Sequence, residues 1–322
     1  MKHQITLKIG PATFRIGSAW RDPIDHLARL YAAYPMSLGD IADFSVRLEP
    51  AGPLRQWLRP SIFITGDHGL AEAAPMSLRH GLLAAEMGMN LQMALGWRRH
   101  LLLHASSVEK DGRVLVMTGE SGSGKSTLAA QLGERGWRLM GDEFALLDLT
   151  TGQIFPFPRL VSLKNGAIDV LSAEVPTDRM GPLMANTAKG DIRHLVPRGG
   201  AIDRMEVGGQ PALLLFPRFG HIADARAVGQ AEVFMRLTQA STNYVALGEA
   251  GFLALGRMVE HVPAHAIDFP SGDEAIAMVE RLWEERACAR PCWCGRCAIP
   301  RRWRRLMRRD GMRWSPRRAR SD

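Results

Sequence analysis

Residues 114–132, VLVMTGESGSGKSTLAAQL, join a run of apolar strand formers to a helical pattern through a turn with three glycines and one lysine. The turn, Gly119-Glu120-Ser121-Gly122-Ser123-Gly124-Lys125-Ser126, fits G-x-x-x-x-G-K-[ST], with the strand before it and the helix after it that this pattern requires. Glycines let the backbone turn tightly enough for successive N–H groups to converge on phosphate oxygens, and the new helix adds its N-terminal partial positive charge. Lys125 would neutralise charge on the β- and γ-phosphates, the Ser126 hydroxyl would ligate Mg²⁺, and Thr127 follows on the same turn. The competing reading is a glycine-rich turn without a ligand. Lysine occurs six times in 322 residues, so a chance match in this context is rare, and nucleotide binding is the expectation.

Around this unit the chain reads as a small N-terminal α+β lobe (1–74) followed by a larger domain (75–286). In the lobe the short strands QITLKIG, ATFRIGS, DFSVRLEP and SIFITGD surround one helical pattern, PIDHLARLYAAYP. A long connecting helix is expected over 75–100, starting at Pro75-Met76-Ser77. LLLHASSVEKDGRVLVMTG reads as two strands about a Lys110-Asp111-Gly112 turn. Beyond the loop helix, WRLMGDEFALLDLTTGQIFPFPRLVSL alternates apolar runs with turn residues and leaves no room for the crossover helices that parallel pairing requires. The sheet is therefore expected to be mixed, with antiparallel hairpins. RHLVP, ALLLFP and AHAIDFP read as further strands, with helices expected at 230–240, 248–260 and 273–286.

A magnesium ion at the loop needs a carboxylate. Asp142 and Glu143 follow the short run RLMG 17 residues after Lys125, one helix and one strand downstream, which is the distance needed to return beside the loop. Asp142 is the expected metal ligand or base and Glu143 the second candidate, against the alternative of a solvated turn pair.

The stretch LHASSVEKDGRVLVMTGESGSGKSTLAAQLGERGWRLMGDEFALL resembles the HPr kinase/phosphorylase family, and within it the divergent branch called HprK-related kinase A. His104, on the strand before the loop, stands where that family has a histidine, and Asp142-Glu143 matches its paired acids. The likeness is close over residues 100–148 and looser through LVSLKNGAIDVL, AKGDIRHLVP and LLLFPRF, reaching over residues 1 to about 285. It implies an α/β (α+β) fold: the mixed-sheet P-loop kinase domain shared with phosphoenolpyruvate carboxykinase, using ATP and Mg²⁺. His104 could then tune or relay to the Asp142 carboxylate, whose charge would favour imidazolium; otherwise it is a histidine bonded to backbone at a strand end. Two departures limit the transfer: the family has two aspartates where this chain has Asp142-Glu143, and its E-x-R-G-L-G type segment is absent. Phosphorylase activity and HPr as substrate therefore do not carry over.

The expected function is an ATP-dependent kinase that moves the γ-phosphoryl group to a hydroxyl, a serine on a peptide or small protein, and the resemblance adds a PqqD-like protein as partner. The rival is a non-catalytic ATP-binding module that gates binding of such a partner. Homo-oligomerisation is compatible with either. Lys164 in LVSLKNG and Arg218 in FPRF are the best candidates to contact a phosphate or the acceptor, ahead of Lys189, Arg193 and His194; ordinary surface charge is the alternative for each. Glu86 and Asn90, four apart on the connecting helix, share a face and would hold it against its neighbours.

Charge bears on partners. Residues 281–322 hold 14 arginines and four acids, so residues 1–280 carry 27 basic and 29 acidic groups. The globular part is nearly neutral and gives no basis for nucleic-acid binding, and no apolar run reaches the length of a membrane span. A cytoplasmic protein is expected. All four cysteines (Cys288, Cys292, Cys294, Cys297) lie in the tail, 287–322, where only the last two have C-x2-C spacing, so simple thiols are preferred over zinc. Trp303 and Trp314 among arginines would suit RNA, but like charge, proline and glycine favour a disordered extension.

Overall fold

Ile24, Leu27 and Leu30 recur at helical spacing behind a proline in the first turn, and they are the buried face of the first helix. The structure, a computed structural model, describes residues 2–36, 41–69 and 74–287. Its N-terminal part runs β1 (His3–Ile9), β2 (Ala12–Ser18), α1 (Asp22–Leu30), β3 (Phe44–Pro50), β4 (Ser61–Gly66), the two-residue β5 (Met76–Ser77) and α2 (Gly81–Gly96). These strands form one sheet in sequence order, antiparallel except for β2 and β3, which α1 connects.

The remainder begins with β6 (His100–Leu103), β7 (Ala105–Lys110), β8 (Arg113–Thr118), α3 (Lys125–Glu134), β9 (Arg138–Gly141), β10 (Ala145–Asp148), β11 (Ile154–Phe155) and β12 (Val161–Lys164). It continues through α4 (Gly166–Glu174), β13 (Met184–Thr187), β14 (Gly190–Leu195), α5 (Gly199–Asp203), β15 (Gln210–Phe219) and β16 (Asp224–Ala227). The last elements are α6 (Gln230–Ala240), α7 (Tyr244–His261), β17 (Ala264–Phe269) and α8 (Gly272–Ala287). The main sheet has the order β16-β17-β15-β8-β7-β9 and is mixed: β17, β15 and β8 are parallel, and the outer pairings are antiparallel. Two three-stranded sheets, β11-β10-β6 and β12-β14-β13, complete a mixed α/β protein. The described residues all fall in one compact unit, and among them no helix is long and apolar enough to cross a membrane.

Several expected elements differ in extent. The helix expected over 75–100 is α2, 81–96, because Met76 and Ser77 pair with β4 and His100 opens β6. The two strands expected around Lys110-Asp111-Gly112 are three. The turn itself is as read, with Asp111 and Gly112 both at positive φ (56° and 76°) as a two-residue hairpin demands. Upstream, the apolar run breaks at His104: β6 pairs with β10, while β7 pairs with β8 and β9. The helix expected from 248 is part of α7, which breaks at Gly248 (φ 53°). The Cys- and Arg-rich stretch, 288–322, lies outside the described residues.

Two apolar cores flank the site. One joins the N-terminal sheet and α2 to Phe144, Leu146 and Phe157. The other fills the space between the main sheet, α3 and α8, where Trp137 meets Trp283 edge-on at 4.7 Å. The first core contains a buried polar knot. Arg159 binds the Glu86 carboxylate and the Asn90 amide oxygen and donates to the Glu86 carbonyl at 2.9 Å, while the Tyr31 hydroxyl donates to Glu86 Oε1 at 2.8 Å. Glu86 and Asn90 thus share a face and one partner. Glu86→Ala would leave Arg159, which is 3% exposed, as an unpaired buried charge. We expect a loss of about 3–5 kcal/mol, read as a lower urea midpoint at unchanged slope, with Glu86→Gln losing less.

Candidate active site

The glycine loop leaves the C-terminal end of β8, beside its parallel neighbour β15, where open α/β sheets place their ligand crevices. Gly122 and Gly124 take φ of 86° and 91°, which side-chain-bearing residues rarely adopt, and Gly124 is the N-cap of α3. A Cβ on Gly124 would also lie 3.1 Å from the Phe269 ring and 3.3 Å from the Phe219 Cβ. Lys125 folds back over the loop and donates to the Gly119 carbonyl at 2.8 Å, the Glu120 carbonyl at 2.7 Å and Ser123 Oγ at 3.3 Å. Burial lowers its ammonium pKa from the ordinary value, and the charges of Asp142 and Glu143 oppose that shift. The first amides of α3 have no partners within the helix, so a group that accepts from them meets both N–H donors and the lysine.

β9 pairs antiparallel with β7, which brings its last residue opposite Ser107 and carries Asp142 to the loop end of the sheet. Asp142 is 3% exposed. Its Oδ1 accepts from Ser106 Oγ at 2.8 Å and its Oδ2 from the Ser162 amide at 3.1 Å, and the Ser126 side chain is close enough to favour the charged carboxylate. Burial, and next the charge of Glu143, push the Asp142 carboxyl up from its ordinary value against the opposing effect of Ser106, Ser126 and Ser162. Glu143 goes the other way: burial raises it, but the hydrogen bond from His104 and the charges of Arg159 and Lys164 outweigh burial and hold it below its usual range. Adjacent acids in such different surroundings are suited to different tasks.

The donor set at the loop is one carboxylate and one hydroxyl. Among the described residues no group of three His, Cys, Asp or Glu side chains could hold a metal unaided. One carboxylate and one hydroxyl fit Mg²⁺, which takes one or two protein oxygens and completes its shell with waters and phosphate oxygens.

His104 Nε2 lies 3.4 Å from Glu143 Oε2, so its carboxylate partner is Glu143 and not the expected Asp142. The break between β6 and β7 explains this placement. The His104 amide donates to the Ala240 carbonyl at 2.8 Å and its carbonyl accepts from Thr118 Oγ1 at 3.0 Å, which turns the peptide out of both sheets. The imidazole lines a cleft of about 960 Å³ bounded by the loop residues 119–123, the β15 end and α6. Arg218 lines the same cleft, but Asp268, its register neighbour on β17, holds its guanidinium through both oxygens. Lys164 ends β12, close enough for its charge to act on Lys125 and Glu143. Lys189 is exposed in the β13–β14 turn, Arg193 donates to the Gly181 carbonyl at 2.8 Å, and His194 is buried within β14. Ser106, Ser162 and Arg159, which hold or polarise the acid pair, carried no sequence signal, because each meets the pair through pairing set elsewhere in the chain.

No family model matches this chain, and no curated protein does either. Among solved structures it is similar to the Hpr(Ser) kinase/phosphatase from Coxiella burnetii, at 18% identity and a TM-score of 0.27, over 57% of this chain and 98% of that one.

Proposed function

We propose that this protein is an ATP-dependent kinase that transfers the γ-phosphoryl group of ATP to a hydroxyl, a serine of a peptide or small protein. The observation that carries the reading is the convergence of Ser126, on the first turn of the loop helix, and Asp142, at the end of β9, near the Lys125 ammonium, with Ser126 close enough to act on the Asp142 carboxyl and Asp142 on the ammonium. The loop amides and Lys125 bind the phosphates, and Ser126 with Asp142 would hold Mg²⁺. The ion, when bound, would neutralise charge on the transferring group. The acceptor enters the cleft that His104 lines. With Nε2 turned toward Glu143 at 3.4 Å, His104 would offer its other ring nitrogen, Nδ1, to the serine proton. Phosphoryl transfer asks mainly for positioning and charge stabilisation, so this set of groups is sufficient.

The reading is tested by calorimetry of ATP binding with Mg²⁺ and with a chelator. Ser126→Ala should lose the increment in affinity that Mg²⁺ gives wild type, together with transfer, while binding without metal stays within about twofold. An undiminished magnesium increment in Ser126→Ala would remove Ser126 and Asp142 from the metal site and the kinase reading with them.

A further inference from the structure

The far end of α3 borders a second pocket, of about 250 Å³, that shares no lining residue with the loop cleft. Four arginines contribute to its wall: Arg138 from β9, Arg179, and Arg198 and Arg204 at either end of α5. Among the described residues, two carboxylates answer them. Glu134 takes Arg179 at 2.8 and 3.1 Å and Arg198 at 3.0 Å, and Glu109 takes Arg138 at 2.6 Å and Arg204 at 3.5 Å. Four guanidinium charges against two carboxylates leave an excess of two positive charges, in a chain whose first 280 residues are otherwise close to neutral. The excess is underused within the protein. Arg138 Nη2 is buried without a hydrogen-bond partner, and the side chains of Arg198 and Arg204 are 58% and 52% exposed at the rim. The floor is apolar, from Ala129, Ala130, Val161 and Leu195. Gly133 lies buried on that floor, yet a Cβ added to it would meet nothing within 4 Å, so the open space reaches the helix backbone.

We propose that this pocket is a binding site for a short-chain dicarboxylate. Two negative charges match the excess, the planar guanidinium fork pairs with carboxylate through two parallel hydrogen bonds, and Arg179 already does so with Glu134. A carbon chain covers the alanine and valine floor, which a bare inorganic anion would leave wet.

The test is calorimetric titration of the full chain with succinate and glutarate, in the presence of Mg²⁺ and a non-hydrolysable ATP analogue so that the glycine loop is filled. One dicarboxylate per chain should bind. Butyrate, which lacks one charge, should bind at least about tenfold more weakly, and Arg198→Ala and Arg204→Ala should each cost about tenfold without changing affinity for the analogue. Gly133→Leu should abolish dicarboxylate binding by filling the space; should that variant not fold, Gly133→Ala, which suits a helix, should still weaken it. Absence of binding by wild type, or binding indifferent to Arg198, Arg204 and Gly133, overturns the site. Inorganic phosphate binding there with the same arginine dependence, while dicarboxylates do not bind, overturns the ligand assignment.

Discussion

Lys125→Ala is expected to weaken Mg·ATP binding by about 10- to 150-fold and to bring phosphoryl transfer below detection. The range is that of about 1.5–3 kcal/mol for a hydrogen bond to a charged group. The fold should persist. All three Lys125 hydrogen bonds go to its own loop, at Gly119, Glu120 and Ser123, and none ties α3 to another element. Calorimetry and circular dichroism check the two halves of this expectation. Unchanged ATP affinity in a folded variant would mean that the loop holds no phosphate.

Asp142→Asn should separate binding from chemistry. The amide keeps an oxygen for the Ser106 hydroxyl or the Ser162 amide, so the β9 end should stay in place, and the loop amides and Lys125 still hold the phosphates. The substitution removes the negative charge that would anchor the metal, and transfer should fall by about 10² to 10⁴ while ATP affinity changes far less. His104→Ala removes the proton acceptor and should be partly rescued by added imidazole, a response that loss of structure alone does not give. A fall in transfer strictly parallel to a fall in affinity for Asp142→Asn would assign Asp142 to nucleotide binding only.

What could be read in the sequence was what local chemistry decides. The glycine turn, the helix that follows it and the Asp111-Gly112 hairpin each depend on residues within one short window, and each lies where expected. The return of Asp142 to the loop end was legible too, because a short helix and one strand admit few paths. Pairing between distant strands was not. Arg218 looked free to clamp a phosphate, but the parallel register of β15 and β17 sets Asp268 beside it. His104 was expected to serve Asp142; the break between β6 and β7, fixed by Ala240 and Thr118, aims it at Glu143. The helix α4 went unread, since Lys164-Asn165-Gly166 carries turn chemistry and Asn165 indeed has φ of 50° immediately before it. The second, arginine-lined pocket draws on four stretches of chain between Ala129 and Arg204, a convergence that no local pattern announces.

The most direct measurement of the central claim is transfer of label from γ-labelled ATP, with Mg²⁺, to serine-containing peptides and to small proteins of the PqqD-like type, by wild type and Asp142→Asn side by side. The account predicts label on serine with wild type and a loss of about 10²-fold or more with the variant at saturating ATP. Tight ATP binding by wild type with no label on any acceptor would contradict it and leave a nucleotide-gated binding protein in its place.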